Sequence, residues 1–208
     1  MMRSFLLILL LFWAPSVLYA EEPVILIVGD SLSAGYGMKL EQSWPRLLQR
    51  HLDDEGQKYR VMNASITGDT TQGGLNRLPG LLSRHQPRLV IIELGGNDGL
   101  RGLGLQVTRN NLTGMIEQSI QAGARVLLAG IQLPPNYGSA YTDRFRDMFR
   151  ELAEKFDIML VPFFMEGVAL NPDLMQGDGI HPNARAQPVL LQNVLDVLEP
   201  ALFSESAP

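Results

Sequence analysis

The sequence predicts an α/β fold, a three-layer α/β/α sandwich, and three observations carry that prediction. From Glu21 onward, short β-branched apolar runs alternate with longer stretches of helical spacing. A chain built in that way forms a parallel sheet with right-handed crossovers and a helix layer on each face. The first, Val24 to Val28, is continuously apolar, as a strand covered on both faces is. The residues able to do chemistry follow those runs directly, at the carboxyl edge where such sheets place their sites.

The first twenty of the 208 residues stand apart from the fold. Arg3 supplies a positive start, an unbroken apolar stretch follows over 5–13, and Leu18-Tyr19-Ala20 ends in a small residue. That is the layout of a secretory signal peptide cleaved after Ala20. A spanning helix needs ~20 apolar residues, and Pro15 interrupts this stretch early. Residues 21–208 are then expected to be one exported domain, periplasmic or secreted, with no membrane anchor once the signal is removed.

Within that domain, strands are expected over 24–28, 59–62, 89–92, 126–129 and 158–161. Helices are expected over 44–54, 75–85, 107–122, 142–156 and 183–198. Leu47, Leu48, His51 and Leu52 share one helix face, and Val107, Ile116 and Ile120 continue that logic on the third helix. No linker, repeat or low-complexity tract divides the chain.

Composition removes several classes. Hydrophobic residues make up 46% and charged residues 19%, too apolar for a disordered chain. A formal charge of −5 without Lys/Arg clusters argues against a nucleic-acid partner. The absence of cysteine excludes disulfides, Cys-ligated zinc and a thiolate nucleophile. Three scattered histidines leave no His-rich metal site. Monomer is the default for want of an obvious apolar interface.

Four pieces carry the chemistry. Gly29-Asp30-Ser31-Leu32-Ser33 places a serine on a sharp strand-to-helix turn, although by itself it reads more readily as an ordinary Asx turn or helix cap. Asp178-Gly179-Ile180-His181-Pro182 comes late in the chain. An Asp three residues before a His can accept from Nδ1–H, fix the tautomer and free Nε2 for a serine proton. The plain alternative is that His181-Pro182-Asn183 merely opens the last helix. Leu94-Gly95-Gly96-Asn97-Asp98 can aim the Asn97 amide over the strand ends, and in Ile66-Thr67-Gly68-Asp69 the Gly68 N–H is unhindered. With the Ser31 N–H these make three oxyanion donors, each typically worth ~10²–10³ in rate. Each piece alone is also a turn; together they follow separate strand positions in the order Ser…Asp…His.

These four blocks resemble the SGNH (GDSL) hydrolases, named for Ser, Gly, Asn and His. The resemblance extends over 24–198 and takes in Asn63-Ala64-Ser65-Ile66 and Glu93-Leu94. Within the family it is nearest to bacterial periplasmic enzymes that act on acyl thioesters, lysophospholipids and esters. It implies a flavodoxin-like sandwich with a five-stranded parallel sheet and hydrolysis through an acyl-serine. Ser31, Asp178 and His181 would be catalytic, with Ser31, Gly68 and Asn97 as the oxyanion hole. Asp30 would be structural, and neither a metal nor an organic cofactor is implied.

Substrate signals are thinner. Leu100 and Leu103, with Leu133, Pro134 and Tyr137, are candidates for two walls of an acyl groove, or simply for two surface turns. Phe163, Phe164 and Met165 read more readily as core than pocket, and His51 and His85 as surface helix residues. Asn63 and Asn111 head glycosylation sequons that matter only in a eukaryotic secretory route. The expected substrate is a small-molecule acyl ester of short to long chain, an acyl thioester such as fatty acyl-CoA, or a lysophospholipid. A carbohydrate O-acetylesterase and a non-catalytic lipid- or glycan-binding module are the competing readings. With Trp13 in the leader, only Trp44 is left as a sugar platform, which favours the lipid reading. A neutral His181 as base requires activity to fall below pH ~6.5.

Overall fold

The computed structural model describes residues 22–203. The signal-peptide reading of 1–20 therefore lies outside the described residues. Five parallel strands form one sheet: β1 (Val24–Gly29), β2 (Arg60–Asn63), β3 (Leu89–Glu93), β4 (Arg125–Ala129) and β5 (Met159–Val161). Their order is β2-β1-β3-β4-β5. The chain therefore moves outward from β1 to β2 and then back across to β3, leaving a switch point between β1 and β3 where ligands of such sheets bind.

The central strands β1 and β3 are buried on both sides, and the two sides form two cores. Leu26, Val28, Val90 and Ile92 pack beneath α3 (Thr71–His85), α5 (Leu105–Gln121) and α6 (Ser139–Phe156). Ile25, Ile27, Leu89 and Ile91 pack beneath α2 (Trp44–Asp54) and α7 (Gln187–Phe203). The period-two alternation of the strand decides which residue serves which core. On α2, Trp44, Leu48 and Leu52 recur every four residues and are fully covered, so the helix lies flat on the sheet. Two short helices, α1 (Ser31–Ala34) and α4 (Gly96–Leu100), stand directly after β1 and β3.

Several boundaries differ from the sequence expectation. α3 begins at Thr71 rather than 75, because Thr70 caps it by accepting from the Gly73 N–H at 3.3 Å and Gly73 and Gly74 disguise the first turn. α7 begins at Gln187 rather than 183. The Asn183 side chain is engaged elsewhere, donating to the carbonyls of Asp173 at 2.9 Å and Met175 at 3.2 Å, so the chain coils before entering the helix. The face expected on α5 is also corrected: Ile116 is buried, but Val107 and Ile120 are exposed. The covered stripe runs instead through Thr108, Asn111, Leu112, Met115 and Ser119. Asn111 donates to Thr71 Oγ1 at 3.1 Å and Ser119 Oγ to the Met115 carbonyl at 2.8 Å, which is how these two polar groups are accommodated there. Asn111 is thereby too buried to serve as a glycosylation acceptor.

His51 is not a bare surface residue: its Nε2 lies 2.7 Å from Glu199 Oε1, joining α2 to α7. Phe164 is fully buried edge-on against Trp44, with ring centroids 5.6 Å apart, and Met165 packs on the same core. Among the described residues no helix is long and apolar enough to cross a membrane.

Candidate active site

The turn that presents Ser31 forms because the chain leaves β1 at a glycine and is captured at once. Asp30 Oδ1 accepts the Leu32 N–H at 3.0 Å, capping α1, while the Ala34 N–H returns to the Asp30 carbonyl at 2.9 Å. Ser31 is left almost buried, at 9% exposure. A side chain at position 29 would have its Cβ 2.8 Å from Glu93 Oε2 and 2.9 Å from Ser33 Oγ, so only glycine fits there.

His181 reaches Ser31 from the long loop between β5 and α7. That loop closes on itself: Met175 and Pro182 form an antiparallel bridge, the Gln176 N–H donates to the His181 carbonyl at 2.7 Å, and the Gly179 N–H to the Gln176 carbonyl at 3.0 Å. At its tip Asp178 Oδ1 accepts the N–H groups of Ile180 and His181, both at 2.9 Å, and Oδ2 lies 2.7 Å from His181 Nδ1. These hydrogen bonds, from the His181 backbone, its ring and the Ile180 backbone, pull the Asp178 carboxyl down to about 2. His181 Nε2 stands 2.9 Å from Ser31 Oγ. The ring of Tyr36 leans on His181 with centroids 4.4 Å apart. Helix opening is therefore not what His181 and Pro182 do.

Asn97 lies on α4, on the far side of the switch point. Its Nδ2 donates to Asp30 Oδ2 at 2.9 Å, leaving a second amide hydrogen. Gly68 adopts φ +78°, the left-handed region open to glycine. Neither its N–H nor that of Ser31 donates to a described residue. Arg101 ties the two blocks together, its Nη2 donating to the Gly68 carbonyl at 2.9 Å and to Asn97 Oδ1 at 3.4 Å. The structure thus brings Ser31, Asp178 and His181 into one chain of contacts, and links Asn97 and Gly68 through Arg101.

Around these residues lies a support that sequence reasoning did not assign. Asp98 is fully buried and accepts from the Thr71 N–H at 2.9 Å and from the Thr71 hydroxyl, fastening α4 to the start of α3. Arg77 pairs with Asp69 at 2.8 Å and also donates to the carbonyls of Ala64 and Gly29, pinning the Gly68 segment to the end of β1. Asn63 Nδ2 donates to the Ser33 carbonyl at 2.8 Å. Both aspartates directly follow the flagged Gly68 and Asn97, a signal that was there to be read. Asp30 is structural, as expected, and burial raises its carboxyl to about 6 against the pull of Leu32 N–H and Asn97.

The five substrate candidates fare unequally. Leu133 is buried against Gly99, Leu100 is half-buried in the core margin, and Leu103, Pro134 and Tyr137 are exposed. The Tyr137 hydroxyl donates to the Leu100 carbonyl at 3.0 Å, so the two segments do meet. Among the described residues no group of three or more His, Asp or Glu side chains is placed to hold a metal.

Residues 27–187 match the model of the GDSL-like lipase/acylhydrolase family. The chain is 52% identical over 183 residues to a Pseudomonas aeruginosa protein named esterase TesA, covering 88% of this chain and 91% of that one. It is 49% identical over 187 residues to the Escherichia coli K12 protein named thioesterase 1/protease 1/lysophospholipase L1, covering 90% and 88%. A crystal structure of TesA superposes with a TM-score of 0.84 at 52% identity, covering 85% of this chain and 98% of the other.

Proposed function

Because the chain belongs to the GDSL-like lipase/acylhydrolase family, we propose that Ser31 is its nucleophile, His181 its general base and acid, and Asp178 the residue that orients His181. The protein is a serine hydrolase of esters and thioesters. The observation that carries the residue assignment is the unbroken relay from Asp178 Oδ2 through both ring nitrogens of His181 to Ser31 Oγ, in steps of 2.7 Å and 2.9 Å.

The chemistry follows from that relay. Ser31 Oγ bonds to the acyl carbon as its proton passes to His181 Nε2, and the carbonyl electrons collect on the oxyanion. The backbone N–H groups of Ser31 and Gly68 and the remaining Nδ2 hydrogen of Asn97 receive that charge. Collapse of the intermediate expels the alcohol or thiol, which takes the proton back from Nε2 and leaves an acyl-serine. His181 then takes a proton from water as the water oxygen bonds to the acyl carbon; the second intermediate collapses, Ser31 Oγ leaves with the proton from Nε2, and the acid is released. Asp178 stays ionised throughout and stabilises the imidazolium each time it forms.

The substrates are acyl esters, fatty acyl thioesters and lysophospholipids, with Leu100, Leu103, Pro134 and Tyr137 along the acyl chain and Leu133 packed behind them. Two features favour this over a sugar O-acetylesterase: the relative named thioesterase and lysophospholipase, and the complete burial of Trp44, which removes it as a sugar platform. The intact relay weighs against a module that only binds. Residues 1–20 direct export to the periplasm or medium, and 21–208 act there as a single, monomeric domain without a membrane anchor.

The test is turnover of p-nitrophenyl esters from acetyl to palmitoyl, with Ser31→Ala alongside. Hydrolysis of medium and long chains, falling by ~10⁴ or more in the variant, is the expected result. Activity confined to acetate would overturn the lipid reading. Turnover that survives Ser31→Ala would overturn the nucleophile.

A further inference from the structure

The alternation along β3 puts Leu89, Ile91 and Glu93 on one face of the sheet. The first two belong to the core shared with α2 and α7, and Glu93 occupies the next position in that apolar series, with no exposed surface. It lies beside Gly29 in the β1–β3 register, directly below the turn that carries Ser31. Its Oε2 accepts the Ser33 hydroxyl at 2.7 Å and the Asp30 N–H at 3.3 Å. Ser33 Oγ in turn accepts the Trp44 indole N–H at 3.2 Å, which connects the cluster to α2. Glu93 Oε1 has no partner among the described residues.

That pattern fits a carboxylic acid and not a carboxylate. Two donors fill the two lone pairs of one carbonyl-type oxygen, and the second oxygen is left to carry the proton. An ionised group here would bury an oxygen that has neither donor nor cation, far more costly than an unpartnered hydroxyl. The charged group acting on Glu93 is Asp30, of like sign, and α2 contributes only the uncharged Trp44. Burial first, and the Asp30 charge second, push the Glu93 carboxyl well above the ordinary range.

We propose that Glu93 is a positioning residue that stands un-ionised beneath the nucleophile turn, its Oε2 holding the Asp30 N–H and the Ser33 hydroxyl on either side of Ser31. The two anchors flank the nucleophile in sequence, so they set both the Oγ–His181 approach and the direction of the Ser31 N–H. Being neutral, Glu93 does this without opposing the charge on Asp30, which is needed to orient Asn97. The role rests on the assignment of Ser31 as nucleophile; the protonation state does not.

Two variants of the full-length enzyme test this. Glu93→Gln keeps a neutral acceptor oxygen and should hold kcat within about threefold, whereas Glu93→Leu strips both donors of their acceptor. A displaced nucleophile should then lower kcat by ~10–10², with KM little changed. Infrared difference spectra of wild type against Glu93→Gln at about pH 8, well above the ordinary glutamate range, supply the independent readout. The C=O stretch of a protonated carboxyl group should be present in the wild type and lost in the variant. Absence of that band, or a Glu93→Gln variant as impaired as Glu93→Leu, would overturn the proposal. Should Glu93→Leu not fold, the band and the activity of Glu93→Gln decide it. A Ser31→Ala enzyme that still turns over would sink the nucleophile assignment while leaving the infrared band as it is.

Discussion

The two halves of the site are built by opposite means. Ser31 is held from below by groups far away in the chain: Glu93 lies 60 residues from Ser33, and Asn97 lies 67 from Asp30. His181 is held by its own neighbours, with Asp178 three residues away and the Gln176 N–H closing the loop behind it. The Ser31 side is nearly free of solvent, whereas the Asp178 side chain is 38% exposed. The difference teaches where stability and catalysis separate. A long-range buried network is part of the fold itself, while a local exposed loop can lose its chemistry and leave the fold intact.

The sharpest way to break that comparison is to remove a carboxylate from each half. Asp178→Asn can no longer accept from Nδ1–H as an anion, so kcat should fall by ~10³–10⁴. Its thermal midpoint should barely move, because the group is exposed and bonded only within its loop. Asp98→Ala should cost stability. It leaves the buried Thr71 N–H and hydroxyl without their acceptor, a loss of about 1–3 kcal/mol. For a domain of this size that corresponds to roughly 2–4 °C per kcal/mol in Tm. Equal Tm losses in the two variants, measured by calorimetry beside kcat, would show that the halves are not built differently.

This contrast also explains what was legible in the sequence. The Asp178–His181 pair could be read because its geometry is set over three residues, and β1, β3 and β4 because continuous apolar runs have few other uses. Gly68 and Asn97 could be found because glycines mark turns after strands. Glu93 shows no role in the sequence, since its partners Ser33 and Trp44 meet it only after β1, β3 and α2 have packed. The same holds for Asp98 with Thr71 and for Arg77 with Asp69. The exposed Val107 and Ile120 misled for a related reason: Asn111, on the covered stripe of α5, is satisfied by Thr71, itself a distant residue. Hydrophobic spacing cannot report a hydrogen bond to another helix.

pH sharpens the comparison, because Asp30 and Asp178 depart from the ordinary carboxylate value of 3.8 in opposite directions. Asp30 titrates at about 6 in the folded protein, so between that value and the ordinary one the folded state holds a proton that the unfolded chain has released. Its contribution to stability therefore rises as the pH falls through that window. Glu93, held higher still by burial, acts in the same sense. The stability supplied by Asp178 is present above the ordinary value and is lost only as the pH falls from there toward about 2. Turnover has the opposite dependence on Asp30, because protonation weakens the acceptor that orients Asn97. Between about pH 7 and about pH 4, kcat should fall while Tm holds or rises, and Asp30→Asn should flatten the rise in Tm. A Tm that falls in step with kcat would mean that burial of Asp30 is not what sets its protonation.

The smallest effect tests the edge of the site rather than its centre. Tyr137 is 38% exposed, and its hydroxyl fastens the 3₁₀ turn Pro135–Tyr137 to the Leu100 carbonyl at the end of α4. Arg101, the next residue, reaches back to the Gly68 carbonyl, so this bond steadies the Leu100 end of α4 and, through Arg101, the Gly68 segment. Tyr137→Phe removes only a solvent-accessible hydrogen bond, a loss of about 0.5 kcal/mol or less. If Tyr137 and Leu100 line the acyl chain, KM for a long-chain ester should rise by about twofold, roughly the same 0.5 kcal/mol read as binding. KM for acetate should stay put, since an acetyl group does not extend that far. A loss shared equally by acetate and palmitate would place the bond in support of the oxyanion donors, and would move Tyr137 out of the acyl wall.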